Sequence, residues 1–207
     1  DDVEVGAASG AEGMLHLGVG TETRDEHVCV LVNEHRVAAV PADRLEQPVR
    51  AVLGREHLLL DAGFEAALAL FRATGESGGK VMLAGNGASA AMASHIAVDL
   101  TKVAGLRGVA FNDADLITCF ANYYGYEHWI AQAVRAYAGT GDTLVLISSS
   151  GRSPSVLNAA AEANRMGIPV VTLTGFSRDN PLRAAGTVNL WVDDRRYNMV
   201  EATHQGW

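Results

Sequence analysis

Ser148-Ser149-Ser150-Gly151-Arg152-Ser153-Pro154 places four hydroxyls, a glycine and a cation around one strand-to-helix turn. The apolar run Leu144 to Ile147 ends there and reads as a buried strand. Ser153 before Pro154 fits an N-cap followed by a helix's first residue, where the missing N–H costs little. Free N–H groups, the positive end of the helix dipole and several hydroxyls then face one spot, which suits a phosphate. An ordinary capped turn would need a single serine, so four of them favour the anion cradle.

A second turn, Gly85-Asn86-Gly87-Ala88-Ser89, follows the short apolar run Lys80 to Ala84. Its glycines let the backbone approach a ligand, Asn86 can donate and accept, and Ser89 stands at the helix start. In a parallel sheet the two turns open on the same edge and can hold the two ends of one polyol phosphate. On the helix that follows, His95 and Asp99 are spaced i, i+4 and share a face. An imidazole and a carboxylate so placed can share a divalent metal, act as an acid–base pair, or form a simple surface pair. Glu201 and His204, spaced i, i+3, make a similar couple near the last residues. If their helix returns to the same edge, four ligand-type side chains converge. Tyr123, Tyr124, Tyr126 and Trp129 form an aromatic cluster after Asn122, readable as a packed turn or as a sugar platform.

The elements that must position these groups alternate from Gly79 onward. Expected strands are Lys80–Ala84, Gly108–Phe111, Leu144–Ile147, Val170–Leu173 and Val188–Val192. Expected helices run from Ala88 to about Val103, Tyr126 to Ala138 and Pro154 to Met166, with a short one after Asn180-Pro181 and a last one from Tyr197. This pattern implies an α/β fold, a parallel five-stranded sheet with helices on both faces. The first residues differ. Residues 1–13 are Gly/Ala-rich and acidic and are expected to be loose. Val28–Val32 and Arg36–Val40 suggest a hairpin, and Leu58–Phe71 a helix bent at Gly63. The expected division is an N-terminal extension over 1–57 and, over 58–207, the domain that carries both turns, the boundary being where the family resemblance given below begins.

Composition sets the outer bounds. The 207 residues, 48% of them apolar, are enough for a sizeable core. A net charge of −8 argues against nucleic-acid binding, so any phosphate must be met by a local site. Cys29 and Cys119 are too few for a disulfide framework or zinc ribbon and read as small buried hydrophobes. No stretch approaches the ~18 apolar residues of a membrane span. No secretory leader is recognisable, and a cytoplasmic protein is expected.

Three motifs in order resemble the sugar isomerase (SIS) domain family and its phosphoheptose isomerase branch. They are Gly85-Asn86-Gly87-Ala88-Ser89-Ala90-Ala91 with His95-Ile96-Ala97, Asp115-Leu116-Ile117-Thr118 through Ala121-Asn122-Tyr123-Tyr124-Gly125-Tyr126-Glu127, and Ser148 to Pro154. Leu173-Thr174-Gly175 and Asn198 to His204 continue the resemblance, which covers about residues 58–207. It implies isomerisation of sedoheptulose 7-phosphate to a heptose 7-phosphate through an enediolate, often with zinc, in a homotetramer whose sites lie between subunits. By position, Ser148, Ser149, Ser150 and Ser153 would hold phosphate, while Asn86, Gly87, Ser89, Asn122 and Asn198 would contact sugar. His95 and Asp99 would bind metal or move the proton, with Glu201 and His204 completing a zinc site and His204 as the substitute acid. The sequence departs from the branch at Asp99, where a glutamate is usual, and at Tyr123, Asn198 and Glu201. The family's acid histidine falls one to two turns beyond His204. The departures leave a second function open: a non-catalytic SIS module that binds a phosphosugar or a partner protein, like the replication-initiator-associating members.

Overall fold

The computed structural model describes residues 27–31, 37–41 and 62–207. Two compact units divide the chain at Asp1–Arg55 and Glu56–Trp207. In the first, β1 (His27–Leu31) pairs antiparallel with β2 (Val37–Pro41), with Cys29 opposite Ala39. The expectation for residues 1–13 and for the start of the helix at Leu58 lies outside the described residues.

The second unit opens with α1 (Ala62–Glu76), longer at its end than expected and carrying Gly63 in its first turn. It continues through β3 (Lys80–Gly85), α2 (Ala88–Lys102) and β4 (Arg107–Ala110). Next come α3 (Ala114–Tyr124), α4 (Trp129–Tyr137), β5 (Thr143–Ser148) and α5 (Pro154–Arg165). β6 (Val170–Thr174), α6 (Pro181–Ala185), β7 (Val188–Trp191) and α7 (Tyr197–Gly206) complete it. The five strands from β3 to β7 form one sheet in the order β4-β3-β5-β6-β7, every neighbouring pair parallel.

The central strands are apolar on both faces because helices cover both. Met82, Ala84, Leu144 and Leu146 point into one core with Trp129, Ile130 and Val134 of α4 and Val156 and Ala159 of α5. Their alternates Val81, Leu83, Val145 and Ile147 point into the other, against Met92, Ala93 and Ala97 of α2 and Ala67 of α1. The five-stranded sheet with helices on both faces is thus as expected.

One helix, α3, is not among those the sequence pattern indicates. Residues 114–124 form α3 before the chain turns, and α4 starts at Trp129, not Tyr126. Asp113 caps α3 by accepting from the Asp115 and Leu116 N–H groups, and Leu116, Ile117, Phe120 and Ala121 lay its apolar stripe on the first core. Gly125, at φ 83°, then breaks the helix. Cys119 is exposed on α3 rather than buried, because its position falls on the solvent side of that stripe.

A buried carboxylate joins α4 to α5. Glu162 accepts from Arg165 (Nη2–Oε1 2.6 Å, Nε–Oε2 3.1 Å) and from Arg135 (Nε–Oε1 2.8 Å, Nη2–Oε2 3.1 Å). Both contacts are bidentate, the strong geometry for this pair. Hydrogen bonds from Arg165 and Arg135 hold the Glu162 carboxyl down at about 2, against an ordinary 4.5. A depressed carboxyl supplies stability that is complete above pH 4.5 and lost as pH falls toward 2. Glu162→Gln should therefore melt several degrees lower at pH 7, with the difference from wild type shrinking between pH 4.5 and 2 in thermal scans.

Candidate functional site

Strand order reverses between β3 and β5, since the chain passes from β3 outward to β4 and returns to the other side of β3. Gly85 pairs with Ile147 at the carboxyl ends of these two strands, so the turns that follow them are neighbours. Clefts in open parallel sheets form at such a reversal. Here a cleft of about 100 Å³ is lined by Asn86, Ser89, Ile147, Ser148, Ser149, Ser150, Ser153, Tyr197 and Glu201.

The serine loop is held from behind. Gly175 N–H donates to Ser149 O (3.0 Å) and Leu182 N–H to Gly151 O (3.2 Å). Gly151 has φ 63°, and a Cβ there would run into Asn180 Oδ1, so glycine is needed twice over. Ser148 Oγ accepts from Gly151 N–H (3.2 Å), and Ser150 Oγ from Arg152 N–H (3.3 Å). Both hydroxyls accept in these bonds and keep their O–H to donate, and two more have no bond within the protein. Ser149 Oγ is buried without a partner in the protein. Ser153 occupies the N-cap of α5 but makes no capping bond, and lines the cleft instead. A buried hydroxyl left unpaired costs about 1–3 kcal/mol, which an anion's oxygen would recover. The positive end of α5 adds to the attraction for a phosphate.

The other wall is the turn after β3. A Cβ on Gly85 would lie 2.7 Å from Ser89 Cβ, so the glycine lets α2 start close to the strand end. Gly87, at φ 58°, is the N-cap residue of α2 and is exposed beside the cleft. Asn86 Nδ2 donates to Ser155 Oγ (3.0 Å), and Tyr126 Oη donates to Asn86 Oδ1 (3.0 Å). Glu201, on α7, brings the one carboxylate among the lining residues.

Five expected members stand elsewhere. His95 Nε2 and Asp99 Oδ2 are 3.3 Å apart, as their spacing requires, but their side chains are 56% and 53% exposed on the outer face of α2. Within the chain they form a surface pair, one of the arrangements their spacing allows. Asn122 and Asn198 are exposed and are not among the lining residues. His204 is fully buried: its Nε2 donates to Thr174 O (3.1 Å), and its ring lies 5.5 Å from that of Trp207. This corrects its expected role as acid and metal ligand. One turn along α7 from Glu201, it points into the packed side, not the cleft.

Zinc takes three or four N, O or S donors. Among the described residues, no group of three or more His, Cys, Asp or Glu side chains comes together. The expected quartet of His95, Asp99, Glu201 and His204 is not assembled within the chain, so its residues do not fit that metal there.

Tyr197 and Ser155 were missed from the sequence, and Tyr126, read there only as one of an aromatic cluster, makes a specific bond to Asn86. The first had a signal, since Tyr197 and Glu201 are i, i+4 on one helix. The other two are brought in only by tertiary contact.

The family model of the SIS domain matches residues 47–175. The chain belongs to the SIS domain family. It is 38% identical to the phosphoheptose isomerase of Campylobacter concisus over 126 residues, 58% of this chain and 67% of that protein. It is 44% identical to that of Burkholderia pseudomallei over 104 residues, 47% of this chain and 53% of that protein. The aligned stretches thus span between about half and two thirds of these two relatives. The solved phosphoheptose isomerase GmhA from Neisseria gonorrhoeae superposes with a TM-score of 0.68 at 33% identity, covering 75% of this chain and 86% of that one. These likenesses place this SIS chain on the phosphoheptose isomerase branch.

Burial pushes the His204 imidazole down to about 4 from its ordinary 6.5, against the opposing pull of the Thr174 carbonyl. The fold therefore holds the neutral ring, while the unfolded chain takes up the proton. Stability is complete above pH 6.5 and falls by up to about 1.4 kcal/mol per unit as pH drops toward 4. His204→Gln, which keeps a donor for Thr174 but does not titrate, should show a flatter melting temperature between pH 6.5 and 4.5 than wild type.

Proposed function

We propose that this protein is an aldose–ketose isomerase of a phosphorylated sugar, acting on sedoheptulose 7-phosphate to give a heptose 7-phosphate. The observation that carries the reading is the cleft at the strand-order reversal, lined by the unpartnered Ser149 and Ser153 hydroxyls together with Asn86 and Glu201. The serine loop and the start of α5 would take the phosphate dianion. Asn86 and Ser89 would take hydroxyls of the sugar chain. No transmembrane helix is required: among the described residues no helix is long and apolar enough to cross a membrane.

The reaction moves one proton between neighbouring carbons. A base removes the proton from C1 of the ketose, charge spreads over the enediolate oxygens, a second proton passes from O1 to O2, and the carbon-bound proton returns at C2 while O1 becomes the carbonyl. Glu201, the carboxylate in the cleft, is the chain's own candidate for that transfer. His95 and Asp99 would act across a contact with a second copy. They share the outer face of α2 with Val98 and Val103, which are 58% and 77% exposed. An apolar face bearing an acid–base pair suits a site shared between subunits, as a homo-oligomer would have. Zinc would likewise need donors from more than one chain.

A second reading, a phosphosugar-binding module without catalysis, is favoured by one observation: His95 and Asp99 stand apart from Glu201 and the cleft. Incubation with sedoheptulose 7-phosphate in deuterated water separates the two. The isomerase incorporates deuterium at the carbon undergoing proton transfer, and Glu201→Gln and Asp99→Asn each reduce that rate by about 10²-fold or more. Binding of the sugar phosphate with no exchange would overturn catalysis and leave the module.

A further inference from the structure

The aromatic cluster after Asn122 contributes one member to the cleft from outside. Tyr126 Oη donates to Asn86 Oδ1 at 3.0 Å, while Asn86 Nδ2 donates to Ser155 Oγ at 3.0 Å. A primary amide has two N–H donors and two carbonyl lone pairs. With one of each engaged, Asn86 retains one donor and one acceptor. Turning the amide over gives the same remainder, because both neighbours are hydroxyls that can donate or accept.

We propose that Tyr126 and Ser155 are positioning residues that fix Asn86 as a reader of a sugar hydroxyl, separate from the phosphate-holding serines. This inference rests on the phosphosugar reading of the cleft. A hydroxyl both donates and accepts, so it can satisfy both remaining functions of the amide at once. A phosphate dianion only accepts, and would leave the remaining carbonyl lone pair facing negative charge. The Asn86 amide and the serine hydroxyls are therefore chemically distinct parts of the cleft.

Tyr126 is itself held. Its ring lies 6.4 Å from that of Trp129, which is 1% exposed in the first core. The turn that carries it is bonded to α5, where Asn158 Nδ2 donates to Glu127 O (2.8 Å) and contacts His128 Nδ1 (3.2 Å). Ser155 is buried in the first turn of α5. Both brackets thus come from elements anchored independently of the turn they steady. A side chain with fixed orientation gives up less entropy on binding than one that must be ordered by the ligand.

The test compares two probes by calorimetry: inorganic phosphate, and glucitol 6-phosphate, a polyol phosphate with no carbonyl to isomerise. Tyr126→Phe removes one hydroxyl from a half-exposed ring. It should weaken glucitol 6-phosphate about 10-fold and leave inorganic phosphate within about twofold of wild type. Ser155→Ala should show the same selective loss, giving a second reading if either variant is poorly folded. Equal affinities in wild type and variants would overturn the inference, and so would parallel loss of both probes. A wild-type protein that binds neither probe would instead overturn the phosphosugar reading on which the inference stands.

Discussion

A parallel sheet whose order reverses between β3 and β5 is the constraint on which the cleft depends. Each strand ends with its chain rising out of the same edge. At the reversal the two following helices leave on opposite faces, so nothing packs between the turns. Gly85 and Ile147, paired at that point, set the spacing of the walls. The hydroxyls, the start of α5 and the Asn86 amide derive their convergence from that pairing. The two cores matter to function because they hold β3 and β5 in register from both faces.

The remaining wall depends on α7. Val200 and His204 are buried on one side of this helix, which leaves Tyr197 and Glu201 on the side facing the cleft. The His204 bond to Thr174 O ties the helix to the end of β6, close to the Gly175 N–H that steadies the serine loop. The histidine expected as an acid is thus an anchor, and the carboxylate a turn before it is the group that lines the cleft. Burial accounts for the difference: a ring enclosed by packed side chains holds its neutral form and has no path to a substrate proton.

The sheet was readable because its strands are continuous apolar runs bounded by Gly, Ser and Pro, a pattern that a buried parallel strand requires and few other elements share. The serine loop and the Asn86 turn were readable for the same reason, being local in sequence. Helix α3 was not, because its start depends on the Asp113 cap and its stripe of Leu116, Ile117, Phe120 and Ala121 is only partly buried against the first core. The bonds of Tyr126 and Ser155 to Asn86 were not readable because those partners lie 40 and 69 residues away in sequence. The His95, Asp99, Glu201 and His204 convergence failed because helical spacing fixes which side chains share a face, but not which way that face turns.

Ser150→Ala combined with Ser153→Ala addresses the central claim, that the serine loop at the start of α5 is the phosphate site. Calorimetric titration with sedoheptulose 7-phosphate gives the affinity, and thermal melting reports the fold. The account expects a loss of about 100-fold or more, since each lost hydrogen bond to a charged group is worth about 1.5–3 kcal/mol, with the melting temperature within a few degrees of wild type. A double variant that stays folded and binds the sugar phosphate as tightly as wild type would contradict it.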